Sequence, residues 1–536
     1  MKRSTAAVLA LLLFISALTG CAETPAVTTE TAPETTEAAT AEETAAASAT
    51  EEETEEETTA PETEPEFTVT PDGEATLTIP RTFGSHMVVQ RGKDIKIFGK
   101  SNRDGKYVRG VFKGETAYSK VENGKFTLTF PPKEASAEPD EMVIEDECGN
   151  VIRFEDVLVG DVWILTGQSN AAVTLSYLRA GLNGKLPELD ENEPVRLLMQ
   201  GVDYFLNNKL KAKEPMDDFA DPSVVWTRET KQAGMSFSAL GLFFAKKVTS
   251  LTGVPVGVIC TAASGAQIQE IMPKEAAKKC KLGASLKVAT GGFYNGMMAP
   301  LEGMAFAGVV FFQGESEGIT YNTALNFNTY VTEYVSSVRE RLGYDFPFYQ
   351  IQLSSYSDSS RANFGYVNIV RLKQYESLSS ITNGYLIPSY DLRSPDKYVD
   401  YMHSPRKEEL GDRVALLVCA NEYGIGSAED YSAPVPEEVK LSEDGLTVTV
   451  KFKYTGGGLV SKSGDSTVKG FFIGNEKKRK AAEAELISDD TVLVHVPEGA
   501  KAENVAYGFD LVINDDNTQL FSKSGLPVLA FSENIK

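Results

Sequence analysis

The sequence predicts an α/β chain in which a central, mainly parallel sheet carries helices and a β-domain lies on each side of it. Three observations predict this. Short apolar runs alternate with helix-length segments over residues 156–432. Turn-punctuated strands fill residues 68–155 and 433–536. Residues 21–67 have a composition that supports no packed core.

The N-terminal segment comes first. Met1-Lys2-Arg3 precedes an apolar run from Ala6 to Leu18. A short basic region before an apolar stretch of this length reads as a secretory signal, and the run is shorter than the roughly 20 apolar residues of a membrane span. It ends in Leu18-Thr19-Gly20-Cys21, which resembles the cleavage box of bacterial lipoproteins. That resemblance implies a signal peptide at residues 1–20, acylation of Cys21, and a protein exported to the outer face of the bacterial cell membrane. Residues 21–67 are nearly all Thr, Glu, Ala, Ser and Pro, with no Lys or Arg. Such a stretch cannot bury enough apolar surface to offset its conformational entropy, and its like charges repel, so it is expected to be a disordered, extended tether. Much of the net charge of -24 belongs to this segment. The remainder is mildly acidic, which argues against nucleic acid or anionic lipid as a partner.

The folded part divides by its grammar. In residues 68–155, Ile95-Lys96-Ile97-Phe98 and Phe126-Thr127-Leu128-Thr129-Phe130 are separated by Asn-Gly, Asp-Gly and Pro pairs, a small β-domain pattern. In residues 433–536, Leu446–Val450 and Val492–Val496 predict a second β-sandwich. Between them, Val162–Leu165, Val256–Ile259, Val309–Phe312, Phe348–Ile351 and Tyr385–Ile387 are apolar strands, with helices expected over Phe364–Leu378 and Lys407–Cys419. The polar residues just after each strand are therefore candidate site residues, because open α/β sheets bind ligands at the carboxyl ends of their strands.

Those positions carry a coherent chemistry. Thr166-Gly167-Gln168-Ser169-Asn170 follows the first strand and opens a helix, so Ser169 lies near free backbone N–H groups that can hold an oxyanion. Gly265, after the second strand, could offer its N–H to the same oxyanion. Gln313, after the third, could offer a side-chain amide. Asp400-Tyr401-Met402-His403 precedes the last helix. The chain has three histidines, and His86 and His495 lie in the flanking β-domains, so His403 is the available base for a serine here. Asp400 can fix its tautomer and stabilise the imidazolium. Cys148, Cys260, Cys280 and Cys419 are far apart, form no CxxC pair and specify no disulfide, and there is no zinc signature.

Gly167-Gln168-Ser169-Asn170 after Gly160-Asp161-Val162-Trp163 resembles the first block of the sialate O-acetylesterase family, a branch of the SGNH hydrolases. Ser85–Arg91, Asn295–Leu301, Gln313-Gly314-Glu315-Ser316, the pair Arg371 and Gln374, and Gly525–Val528 resemble further family blocks, in the family's order. The resemblance implies an SGNH-type, flavodoxin-like sheet and a catalytic triad of Ser169, Asp400 and His403. It also implies an oxyanion hole from Ser169, Gly265 and Gln313, and no metal or organic cofactor. Gln168, Asn170, Glu315 and Arg371 are candidate substrate-binding residues. Ala171, Ala263-Ser264-Gly265-Ala266 and Glu317 depart from the family pattern and leave substrate preference open. The expectation is a serine esterase that removes O-acetyl groups from carbohydrate, either sialic acid or a polysaccharide such as xylan. The alternative is a non-catalytic carbohydrate-binding surface lipoprotein. A pure adhesion protein, the third reading, is the one the long α/β segment least supports.

Overall fold

The computed structural model describes residues 64–182, 186–200, 207–282, 290–356, 365–395 and 400–536. The expected signal peptide, Cys21 and the expected tether as far as residue 63 lie outside the described residues. The last tether residues do not match the expectation of disorder to residue 67. The Phe67 ring lies 6.1 Å from that of Tyr118, with the Arg109 guanidinium 4.6 Å above it. An aromatic side chain at the end of an otherwise polar stretch has found apolar surface to cover. Among the described residues no helix is long and apolar enough to cross a membrane, and no group of His, Cys, Asp and Glu could hold a metal ion.

The central sheet has strands β1 (Val151–Gly167), β2 (Val195–Met199), β3 (Thr227–Arg228), β4 (Val256–Cys260), β5 (Gly308–Phe312), β6 (Phe348–Ile351) and β7 (Gly384–Ile387). Their order is β3-β2-β4-β1-β5-β6-β7. All neighbours are parallel except the β2–β3 edge pair. β4 and β5 are buried at every position, as strands covered on both faces must be. The helices are α1 (Ser169–Ala172), α2 (Leu175–Leu178), α3 (Ala239–Thr252), α4 (Phe327–Leu342), α5 (Val367–Ser377) and α6 (Lys407–Glu422). Trp163 packs edge-on against Phe244 of α3, and Phe311 stacks on Tyr334 of α4. Phe311 pairs with Thr166, an odd number of residues from Trp163, so these two side chains point to opposite faces and both faces carry helix. α3 and α6 approach closely because residue 411 is glycine: a Cβ there would sit 2.8 Å from that of Phe243.

Two features differ from the sequence expectation. β2 is absent from it because Arg196 interrupts the apolar run. Arg196 is nonetheless buried, with its guanidinium 3.2 Å from Asp156. The expected boundary at residues 155/156 falls inside β1. The first half of β1 pairs antiparallel with Ser136–Asp146 and parallel with Val88–Gln90, and its second half is the middle of the central sheet. The β-rich segment and the α/β segment thus share one continuous sheet. Asp156 marks the join, with a left-handed φ of 55° and contacts at 2.7 Å to both His86 Nδ1 and Arg228 Nε.

Residues 435–534 form three further sheets around a core that includes Val450, Phe471, Ile473, Val494 and Phe531. Gln352, just past β6, stitches this region on: its amide donates to Ala530 O at 2.8 Å, and its carbonyl accepts from Ala530 N at 2.9 Å.

Candidate active site

The site forms where the order of the parallel strands reverses, at the end of β1, between β4 and β5. Gly167 ends β1 with a φ of +128°, and a Cβ there would lie 2.1 Å from Phe312 O. Only glycine passes that carbonyl. The chain then turns through Gln168, whose N–H donates to Phe312 O at 3.1 Å. Ser169 follows as the first residue of α1. The N–H groups of a helix's first turn have no intrahelical acceptor, so they face whatever sits before it.

After β7 the chain returns at Asp400, and the segment 400–406 leads into α6. Asp400 Oδ1 accepts the backbone N–H groups of Met402 and His403, each at 3.0 Å, folding the segment into a tight turn. That turn aims the imidazole. His403 Nδ1 lies 2.7 Å from Asp400 Oδ2, and His403 Nε2 lies 2.8 Å from Ser169 Oγ. Burial would raise the Asp400 pKa, but the hydrogen bond and charge of His403, with the two backbone donors, outweigh it and hold the carboxyl well below the usual carboxylate range. Tyr177, on α2, donates its hydroxyl to the same Oδ2 at 2.9 Å and sets its ring edge-on to the imidazole, 6.0 Å away. It is 57% exposed and stands at the rim of the site.

The structure brings Ser169, His403 and Asp400 into one hydrogen-bonded line. Gly265 lies in a left-handed, exposed turn after β4, with its carbonyl 3.4 Å from Ser316 Oγ. Gln313 departs from the expected oxyanion role. Its Nε2 donates to Ala266 O and to Glu317 Oε2, both at 2.9 Å, so its amide hydrogens are already engaged. The acceptor Glu317 is buried, and burial pushes its carboxyl up to about 7 against the pull of the Ile268 N–H and Gln313.

The four substrate-binding candidates are also placed differently. Gln168 is buried and accepts the Ser316 N–H. Asn170 and Glu315 are buried and bonded to each other. Arg371 is fully buried in α5, its guanidinium donating to the carbonyls of Ser354, Asp510 and Leu511. Each of the four turns inward because its polar atoms find protein partners that water would otherwise have supplied. Two residues of the site have no place in the sequence reading: Tyr177, which nothing but its nearness to Ser169 signals, and Lys407, the first residue of α6, whose Nζ donates to Asn170 Oδ1 at 2.8 Å.

Residues 159–419 match the family model described as "SASA: Carbohydrate esterase, sialic acid-specific acetylesterase". Human sialate O-acetylesterase is 26% identical over 317 residues, which is 54% of this chain and 58% of the human protein. The mouse protein of the same name is 23% identical over 388 residues, 62% of this chain and 69% of its own. The match therefore spans little more than half the length of the human relative. A crystal structure of a carbohydrate acetylesterase from Xanthomonas citri superposes with a TM-score of 0.71 at 24% identity, covering 85% of this chain and 99% of the other, a likeness of fold. With the family's blocks arranged around a single strand-end site, residues 159–419 of this chain carry the carbohydrate-esterase domain of the sialate O-acetylesterase family.

Proposed function

We propose that the protein is a serine esterase that hydrolyses O-acetyl esters of carbohydrate, with Ser169 as nucleophile, His403 as general base and acid, and Asp400 as the group that orients the base. The observation that carries this reading is the Ser169–His403–Asp400 line, with contacts of 2.8 and 2.7 Å. The family and its named relatives support the same class of chemistry.

In the proposed reaction Ser169 Oγ attacks the acetyl carbonyl while His403 Nε2 takes its proton. The negative charge that develops on the carbonyl oxygen is met by the N–H of Ser169 and that of Gly265, each worth roughly 3 kcal/mol of barrier. Gln313 acts one layer back, holding the Gly265–Ala266 turn through Ala266 O. His403 then returns its proton to the leaving sugar oxygen. Water enters and attacks the acetyl carbon while giving a proton to His403, and His403 passes that proton to Ser169 Oγ as the acyl bond breaks and acetate leaves. Asp400 stays ionised throughout and stabilises the imidazolium.

The substrate class is O-acetylated carbohydrate. A sialate carboxylate would call for a basic group at the site. Arg371 is spent on buried carbonyls, and Arg406 on Glu409 and the Asp391 carbonyl. Arg393, the third basic candidate, follows β7 and precedes the segment that carries His403, so both acetylated sialic acid and acetylated polysaccharide stay in the substrate class. The first 67 residues support an enzyme exported, anchored through lipid on Cys21 and held off the membrane by its tether.

Acetate release from O-acetylated sialic acid, acetylated xylan and an aryl acetate tests the reading, with Ser169→Ala alongside. Release that Ser169→Ala abolishes supports it. A folded protein that retains glycan but releases no acetate from any of the three replaces it with the carbohydrate-binding reading.

A further inference from the structure

Behind Ser169 lies a chain of charged and polar groups for which the proposed acyl transfer has no direct use. Asn170 is the residue after the nucleophile. Its Nδ2 donates to Glu315 Oε1 at 2.5 Å and reaches Met402 O, the residue before His403, at 3.4 Å. Its Oδ1 accepts from Lys407 Nζ at 2.8 Å. Lys407 and Asn170 are 1% exposed and Glu315 is 2% exposed, so none of them meets substrate. The Lys407 ammonium also sits 5.0 Å from the centre of the Phe312 ring. Phe312 O is the acceptor that pins the Gln168 N–H.

The polarity of this chain is unambiguous. An ammonium can only donate and a carboxylate can only accept, so the two charges allow the Asn170 amide one orientation. A neutral pair would leave it free to turn over. A buried lysine and glutamate are an expensive way to fill space, since apolar side chains of similar volume often stabilise as well or better. Glu315 Oε2 has no hydrogen-bond partner among the described residues, a further cost. Burial lowers Lys407 to about 8, while Glu315 and Asp400 oppose that shift. Burial likewise raises Glu315, while Asn170, His403 and Lys407 oppose it. The Asn170 hydrogen bond opposes the shift of Glu315 most, and Glu315 opposes that of Lys407 most, so Asn170 links the two charges at the junction of the nucleophile's turn and the base's turn.

We propose that Lys407 and Glu315 are positioning residues that act through Asn170, locking the turn that carries Ser169 to the turn that carries His403. The inference rests on the esterase reading. It assigns Asn170 and Glu315 to the geometry of the nucleophile, where the sequence suggested substrate contact. Loss of either charge lets the amide rotate, loosens the Ser169–His403 contact and leaves the substrate pocket untouched. Misplacement of a reacting group by about 1 Å costs on the order of 100-fold in rate.

The test uses the full-length protein and a fluorophosphonate probe, whose capture rate at Ser169 reports the nucleophile independently of any sugar. In Lys407→Met and Asn170→Ala, capture per folded molecule and kcat for an aryl acetate are expected to fall together by about 10- to 100-fold, with KM unchanged. Glu315→Gln keeps an acceptor for Asn170 and is expected to lose less than Glu315→Leu. Asn170→Ala, a small helix-compatible change, serves where Lys407→Met does not fold. Folded variants that capture the probe at the parental rate, or that change KM alone, overturn the inference and leave the esterase reading standing. A parent that captures no probe at Ser169 overturns both.

Discussion

Replacing Asp400 by Asn changes one oxygen for one NH2 group, and the structure fixes which. Oδ1 accepts two backbone N–H groups, from Met402 and His403, so an amide in its place must keep its carbonyl there or orphan two donors. Its NH2 then falls where Oδ2 now faces His403 Nδ1 at 2.7 Å. Two donors cannot share that contact. The imidazole must present Nδ1 as acceptor, which moves its proton to Nε2, and Nε2 is the atom that must accept the Ser169 proton. Tyr177 accommodates the change, because its hydroxyl can rotate to accept from the new NH2. A wrong tautomer in a serine triad costs about 10⁴-fold in kcat, or about 5 kcal/mol of barrier. Steady-state hydrolysis of an aryl acetate reads the first quantity, and the same protein's acid unfolding reads a second. The Asp400 carboxyl is held below its unfolded value, so the stability it contributes is present above the ordinary aspartate pKa and is lost as pH falls towards the folded one. Asp400→Asn is therefore expected to flatten the decline in stability below about pH 4. Asp400→Asn with kcat within tenfold of the parent would refute the reasoning.

Three further outcomes follow from the packing. Gly167→Ala puts a methyl 2.1 Å from Phe312 O at a φ that non-glycine residues avoid, and is expected to cost at least about 2 kcal/mol in urea unfolding and to lower kcat as Ser169 shifts. Arg371→Met leaves the carbonyls of Ser354, Asp510 and Leu511 without a donor, and is expected to cost about 3 kcal/mol or more in the same assay while the folded fraction keeps its parental kcat. Cys148, Cys260, Cys280 and Cys419 are unpaired, so dithiothreitol is expected to leave the unfolding midpoint where it was.

Why some of the site could be read from sequence and some could not is a matter of local against distant causes. Ser169 was legible because it sits just beyond the end of β1, and His403 because it precedes the last helix and only one of three histidines falls in the α/β segment. Asp400 was legible because it lies three residues from His403, within the reach of one turn. The parallel strands were legible because a sheet covered on both faces demands unbroken apolar runs. β2 was not, since its Arg196 is neutralised by Asp156, a partner 40 residues earlier in the chain. The inward turn of Asn170, Glu315 and Arg371 was equally hidden. Each looks like a polar residue at a strand end or on a helix, and only the fold shows that Lys407, Asn170 and the 510–511 carbonyls are waiting for them. Gln313 teaches the same lesson, because its amide is claimed by Ala266 O, in the loop after β4, as well as by Glu317, four residues on.

The central claim is that Ser169 carries the acetyl group between sugar and water. Rapid mixing of the protein with an acetylated substrate, acid quenching and peptide mass spectrometry test it most directly. The account predicts a transient mass gain of one acetyl group on the peptide containing Ser169, prolonged when His403 is replaced by Ala and absent in Ser169→Ala. An acetyl group trapped on a different residue, or turnover that persists undiminished in Ser169→Ala, would contradict it.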